Sequence, residues 1–254
     1  MSFYDLNKED RMKMVNTIHQ QILSDLKSHS TKSCILYFSD EDTYIRKAAY
    51  LAIGKIHKVN VDLKEEILNL LNELFESKNE KIRQTVINAA GEIGILNFPP
   101  IEHFMEQGLS DPHHSVRNAV IGLLKKMGEK NPLPVLSFSK KFLHHPNPEI
   151  RREICHGLEL RGRTHPQDIL PLLKELQHEK KARIRNTLIH VLGQIAYKKG
   201  CLAIVVNDLK NWDNKEVVME ALKEIIDVHD RYKNFSELSQ AEAIVFIQQF
   251  FPQL

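Results

Sequence analysis

The sequence predicts an all-α solenoid of about six helix pairs, closed by a capping helix at each end. Three observations carry this. An apolar residue followed by arginine recurs at Ile45-Arg46, Ile82-Arg83, Val116-Arg117, Ile150-Arg151 and Ile184-Arg185, with Val217-Val218 as a degenerate sixth copy, at intervals of 37, 34, 34, 34 and 33 residues. A sustained interval of this size marks a stacked repeat. Counted from that apolar residue, further apolar residues fall at offsets 4, 8 and 11: Ala49, Ile53 and Ile56; Val86, Ala90 and Ile93; Val120, Leu124 and Met127; Leu188, Leu192 and Ile195. These offsets share one face of a helix with 3.6 residues per turn. The third observation is that the turns ahead of these helices carry start signals, with Asp111-Pro112, Asn147-Pro148 and Asp213-Asn214 placing capping side chains at the entry.

The elements follow in order. Met12, Val15, Ile18, Ile22 and Leu26 give Asn7 to His29 one apolar face and no repeat signature, so residues 1–29 read as an N-terminal capping helix. Residues 30–230 hold the repeats. Cys34 to Phe38 is a shortened first helix of the first pair. Later first helices are Leu63 to Phe75, Pro100 to Leu109, Pro132 to Leu143, Pro166 to Leu176 and Lys198 to Leu209, three of them opening on proline, which suits a helix entry. The second helices begin at the Ile/Val-Arg steps. The fourth keeps Ile150, Ile154 and Leu158 but places Arg161 at offset 11. Gly54, Gly91 and Gly193 stand eight residues past the arginine, where a small residue lets helices approach closely. Residues 231–254 close the array, with Ser239 and Glu242 in capping-box spacing ahead of Ala243, Val245, Phe246 and Ile247.

Composition bounds the function classes. An apolar share of 42% supplies a continuous core, and a formal charge of +2 makes no global case for nucleic acid or anionic lipid. Cys34, Cys155 and Cys201 are scattered without a CxxC pair, which argues for a reducing compartment and no disulfide framework. The polar start and the absence of a stretch of about 18 apolar residues point to a cytoplasmic protein without a signal core or membrane span.

Paired helices with arginine near the start of the second resemble the HEAT-repeat, armadillo-like family. That family also carries an Asp in the turn about six residues before the arginine. Asp40 and Asp111 stand there, with Glu179 in the fifth copy; Ser77 and His145 depart from the pattern. The resemblance covers Ser30 to Val228 and implies a right-handed curved solenoid with first helices outside and second helices inside. It implies no particular activity. The arginine column is expected to be a ladder in which each guanidinium bonds turn carboxylates and carbonyls of its own and the next repeat.

Chemistry is sparse. There is no GxSxG, Walker or GxGxxG motif, so no catalytic residue and no cofactor is assigned. Relatives of this fold that hydroxylate with a metal carry paired His-Glu steps on successive helices. This chain has one, His178-Glu179, in a turn. His156 and His190 stack in register but are expected to be packed or solvated, and no metal site is assigned. A base-flipping enzyme in such a cradle needs aromatic residues on the inner face, and the single tryptophan, Trp212, falls in a turn.

The remaining candidate is the inner stripe, one and five residues past each arginine: Lys47, Gln84, Asn88, Asn118, Arg152, His156, Asn186 and His190. Amides, histidine and positive charge without a carboxylate suit a peptide segment or an acidic partner. A non-catalytic scaffold or adaptor binding a protein or peptide along the concave face is therefore expected. The alternative is nucleic-acid binding through Lys47, Lys125, Lys126, Arg152, Arg161, Arg163, Lys180, Lys181 and Arg183. Asn118, Arg152 and Asn186 are expected to be exposed and without a core role. No membrane partner is expected, and the sequence leaves the oligomeric state open.

Overall fold

The structure is a computed structural model describing residues 3–253; residues 1, 2 and 254, at the outer ends of the expected capping segments, lie outside the described residues. The described residues are all-α, with no strand. They form two compact units, residues 1–123 and 124–254, divided inside one helix, and each unit is described by itself.

The first unit opens with α1 (Lys8–Ser28), capped by the Asn7 side chain accepting from the Asp10 N–H. Its turn ends with His29 in the left-handed region at φ 52°. Asp25, buried on α1, accepts from the Ser33 and Cys34 N–H groups at 2.6 and 3.3 Å, and so caps α2 (Lys32–Phe38), whose own N-cap residue makes no side-chain bond. The helices α3 (Thr43–Val59), α4 (Lys64–Phe75), α5 (Glu80–Gly94), α6 (Glu102–Leu109) and the start of α7 (His114–Lys130) follow, with short 3-10 turns at Val61–Leu63 and Pro99–Ile101. In the second unit the rest of α7 leads to α8 (Pro132–Phe142), α9 (Pro148–Gly157), α10 (Glu159–Gly162), α11 (Pro166–Glu175), α12 (Ala182–Ala196), α13 (Cys201–Leu209), α14 (Lys215–Arg231) and α15 (Gln240–Gln248).

The apolar offsets form the core. Ile53, Val86, Ala90, Ile93, Val120, Leu124, Met127, Ile154, Leu188, Leu192 and Ile195 are fully buried. Each larger side chain among them contributes about 1.5–3 kcal/mol by leaving water. The glycines permit close approach where expected. A Cβ on Gly91 would lie 1.8 Å from Leu123 Cδ1, and one on Gly54 2.4 Å from Glu92 Cβ.

Two expectations need correction. The helix after Asp111-Pro112 begins at His114. The Asp111 carboxylate is engaged elsewhere, accepting from Arg83 and from the His113 N–H. The fourth second-helix is broken into α9 and α10 at Leu158. Its misfit at offset 11 is resolved because the Arg161 guanidinium bonds Asp168 at the start of α11.

The arginine ladder has two kinds of bond. Each of Arg46, Arg83, Arg117 and Arg151 donates through Nη1 to the carbonyl six residues back, namely those of Asp40, Ser77, Asp111 and His145. Arg83 and Arg151 also reach forward. Arg83 grips both oxygens of Asp111 at 2.7 and 3.0 Å, and Arg151 donates to Glu179 at 2.8 Å. These are the two copies whose own turn carries Ser77 or His145 in place of an acid. Arg185 faces Glu220 on α14 at a looser 3.6 Å. Burial by itself would raise Asp111, but Arg83 and the His113 N–H outweigh it and hold the carboxyl below its ordinary range; Glu179 is lowered in the same way by Arg151 and the Lys181 N–H.

The forward-reaching arginines should therefore matter most. Arg83→Ala strips the ion pair from the buried Asp111 and should cost about 3 kcal/mol in urea unfolding at neutral pH, Arg151→Ala does the same to the part-buried Glu179 and should cost about 2 kcal/mol, and Arg46→Ala, which loses carbonyl bonds alone, should cost about 1 kcal/mol. Equal losses in the three variants would show that the forward bond adds nothing.

Candidate functional site

Seven of the eight stripe residues divide between two open clefts, one in each unit. In the first unit Lys47, Gln84 and Asn88 line a cleft of about 290 Å³ with Thr43, Arg46 and Tyr50. Gln84 donates weakly to the Ser115 carbonyl at 3.4 Å, and Asn88 donates to the Gln84 carbonyl at 3.0 Å. In the second unit Arg152, His156, Asn186 and His190 line a cleft of about 330 Å³ together with Arg183 and Thr187. Asn118 is exposed on α7 and lines neither cleft.

The second-unit cleft rests on a charged layer. Glu159 is almost wholly buried and gathers three groups: Lys125 Nζ at 2.9 Å, Arg163 Nη2, and His156 Nε2 at 3.2 Å. Arg163 also donates to Gln194 Oε1. Burial would raise Glu159, but His156, Lys125 and Arg163 together lower it to about 2. Above this layer His190 meets His156 edge-on at 6.2 Å between ring centroids, and Glu224 lies 3.7 Å from His190 Nδ1. Burial lowers His190 below its ordinary value despite Glu159 and Glu224 nearby, and His156 and Arg231 act in the same sense as burial. Glu149 bridges the cleft wall, accepting from Arg152 at 3.1 Å and from Arg183 at 2.8 Å.

His156, Glu159 and His190 place one ligand atom each within 4.8 Å of one another, a spacing that a metal ion could bridge. This is closer than the separation of neighbouring helix axes, about 8–10 Å, suggests. A cation already fills the position, because Lys125 Nζ lies 2.9 Å from both His156 Nε2 and Glu159 Oε2. An ion there would have to displace the ammonium from a buried carboxylate, so the residues fit the lysine better than a metal.

Nucleophilic chemistry has no support either. Burial pushes the Cys34 and Cys155 thiols up to about 12, which keeps them protonated, and Cys201 is raised as well. Trp212 is fully buried, its indole N–H donating to Asp208 at 2.7 Å, and reaches no cleft.

The structure corrects the expectation for Arg152. Its side chain is 16% exposed and bonds Glu149, with Glu153 at 3.6 Å, so it is part of the packing as well as of the cleft. The sequence placed Arg183 only among the candidate phosphate contacts, and Thr187 and Glu149 were missed. The signal was available: Glu149, Arg152 and His156, like Arg183, Asn186 and His190, recur at helical spacings of three or four on one face.

Several solved structures share the fold. AlkD2 from Streptococcus mutans is 19% identical over 81% of this chain and 98% of its own, with a TM-score of 0.55. The smu.31 protein from Streptococcus mutans UA159 is 19% identical over 80% and 97%, with a TM-score of 0.54. A TOG-domain structure of Crescerin, described as regulating microtubules in the primary cilium, is 15% identical over 81% and 88%, with a TM-score of 0.52. No family model and no curated protein matches the chain. The period, the paired helices and these likenesses make the fold a HEAT- and armadillo-like helical repeat. No helix among the described residues is long and apolar enough to cross a membrane.

The buried layer sets a pH dependence. The folded pKa of Glu159 lies below its ordinary 4.5, so its contribution is complete above that pH and disappears as pH falls toward about 2. Glu159→Gln should cost on the order of 3 kcal/mol at pH 7, measured by denaturant unfolding, and the gap from the unmodified protein should narrow as pH falls from 5 to 3, about the range in which the carboxyl begins to be protonated in the unfolded chain. A gap that stays constant over that range would rule out Glu159 as the titrating group.

Proposed function

We propose that this protein is a non-catalytic adaptor that holds a peptide segment of a protein partner along the exposed faces of its second helices. The observation that carries the reading is the mosaic of charge. Of the basic residues that could track a phosphate backbone, Lys125, Arg152, Arg161, Arg163 and Arg183 each sit in an ion pair with a carboxylate. Lys180 and Lys181 border Glu175 and Glu179. Nucleic-acid binding draws its affinity from cations that neutralise phosphates, and cations already compensated by carboxylates contribute little of that drive. A peptide asks for something different. Its main chain needs paired donors and acceptors, which Gln84, Asn88 and Asn186 supply, and an acidic side chain needs a reachable cation, such as the exposed Lys47.

The partner is accordingly a protein segment with unpaired main-chain groups and acidic side chains, and nucleic acid is the weaker reading. The test is affinity capture from the native cell extract, with and without nuclease, using the unmodified chain and an Arg183→Ala/Asn186→Ala variant. Both substitutions are at exposed positions and should change stability by no more than about 0.5 kcal/mol each. Capture should survive nuclease and fall roughly tenfold for the variant, about 1.4 kcal/mol. Capture that vanishes with nuclease would favour nucleic acid instead. Retention unchanged in a folded variant would remove the second-unit cleft from the site.

A further inference from the structure

A recess of about 470 Å³ opens between α1 and α3 in the first unit, and three kinds of surface build it. One wall is aromatic. Tyr4 and Tyr44 meet edge to face at 4.3 Å between centroids, and Phe3 stacks on Tyr44 at 6.0 Å. The floor is aliphatic, with the buried Ala48 and Ala52 leaving room that larger side chains would fill. The mouth is basic, since Lys47, Leu51 and Lys55 form one row at four-residue spacing on α3 and both lysines are exposed.

No carboxylate lines the recess. The nearby Asp42 accepts from the Phe3 and Tyr44 N–H groups at 2.6 and 2.8 Å and is spent on fixing the aromatic wall. Tyr4 and Tyr44 nevertheless leave 56% and 41% of their surface in water. A preorganised aromatic wall beside a small-residue floor and an uncompensated basic mouth is complementary to a molecule with an apolar body and one negative charge. The volume lies within the range of about 300–1,000 Å³ typical of small-molecule sites.

We propose that this recess is a binding site for a small amphipathic carboxylate. Its flat apolar body lies against Tyr4, Tyr44 and the alanine floor, and its carboxylate sits between Lys47 and Lys55. Lysine ammonium groups act as point charges here. No arginine fork lines the recess, and the first-turn N–H groups of α3 beside it are taken by Asp42, so a single carboxylate suits it better than a phosphate dianion. The site shares Lys47 with the peptide reading but needs neither the amides nor the second unit, and the methyl signals of its floor report on it alone.

The experiment uses the full chain with methyl-labelled Ala and Leu, titrated by NMR with 1-naphthylacetate. The comparison probes are 1-naphthylacetamide, acetate and 1-naphthyl phosphate. Naphthylacetate should shift the Ala48, Leu51 and Ala52 methyl signals saturably at millimolar concentration or below, and acetate should leave them in place. The neutral amide should bind about tenfold more weakly, the effect of losing two solvent-exposed charge contacts. A Lys47→Ala/Lys55→Ala variant, altered at exposed positions that pack no core, should bring the carboxylate level with the amide. The proposal is overturned if those methyl signals do not shift, if the shifts lie elsewhere, or if the amide binds as tightly as the carboxylate. Tighter binding of the phosphate than of the carboxylate overturns it too.

Discussion

The guanidinium of the repeat arginine is the interaction on which the fold depends. Every turn between paired helices exposes carbonyls that the helices cannot use. In four of these turns one rigid five-donor group closes them. Because the donor sits at the start of the second helix and the acceptor six residues earlier, the bond sets the angle at which the chain leaves one helix and enters the next. Arg83 and Arg151 extend the same side chain to a carboxylate of the following repeat. Local turn geometry and the stacking of neighbouring repeats are thereby fixed by a single residue type, and the apolar offsets then have a constant surface to pack against.

The second-unit cleft shows the same economy in its charged layer. Glu159 would be an unfavourable burial alone, yet Lys125, Arg163 and His156 converge on it from three directions. The layer makes the cleft floor rigid and occupies the place a metal ion would take. Beside it stand Asn186, Thr187 and His190, which burial holds below its ordinary pKa, so hydrogen-bonding groups line the cleft together with the ion-paired Arg152 and Arg183.

Much of this was legible in the sequence because it is periodic. The second helices, their buried offsets, the close approach at Gly91 and the ladder at Arg83 and Arg151 all repeat, and repetition separates signal from accident. The misses are places where a residue's role is set by a partner far along the chain. Asp111 reads as a cap, but Arg83, 28 residues earlier, claims it. Arg152 reads as exposed because its position is on the inner stripe, yet Glu149 and Glu153 draw its guanidinium inward. The aromatic recess was invisible because Phe3 and Tyr4 lie before α1 and meet Tyr44 only once the chain has folded.

The forward-reaching bonds also bear on how such a chain grows by duplication. Asp111 serves the arginine of the repeat before it, and so does Glu179, while Ser77 and His145 stand in the turns between. A donor-only repeat is followed by an acid-bearing one, and then the order begins again. A copied repeat would keep the carbonyl bond of its arginine whatever followed it, but would keep a forward bond only where the next turn carries an acid, so the interval at which that bond recurs is two repeats, twice the period of the helices.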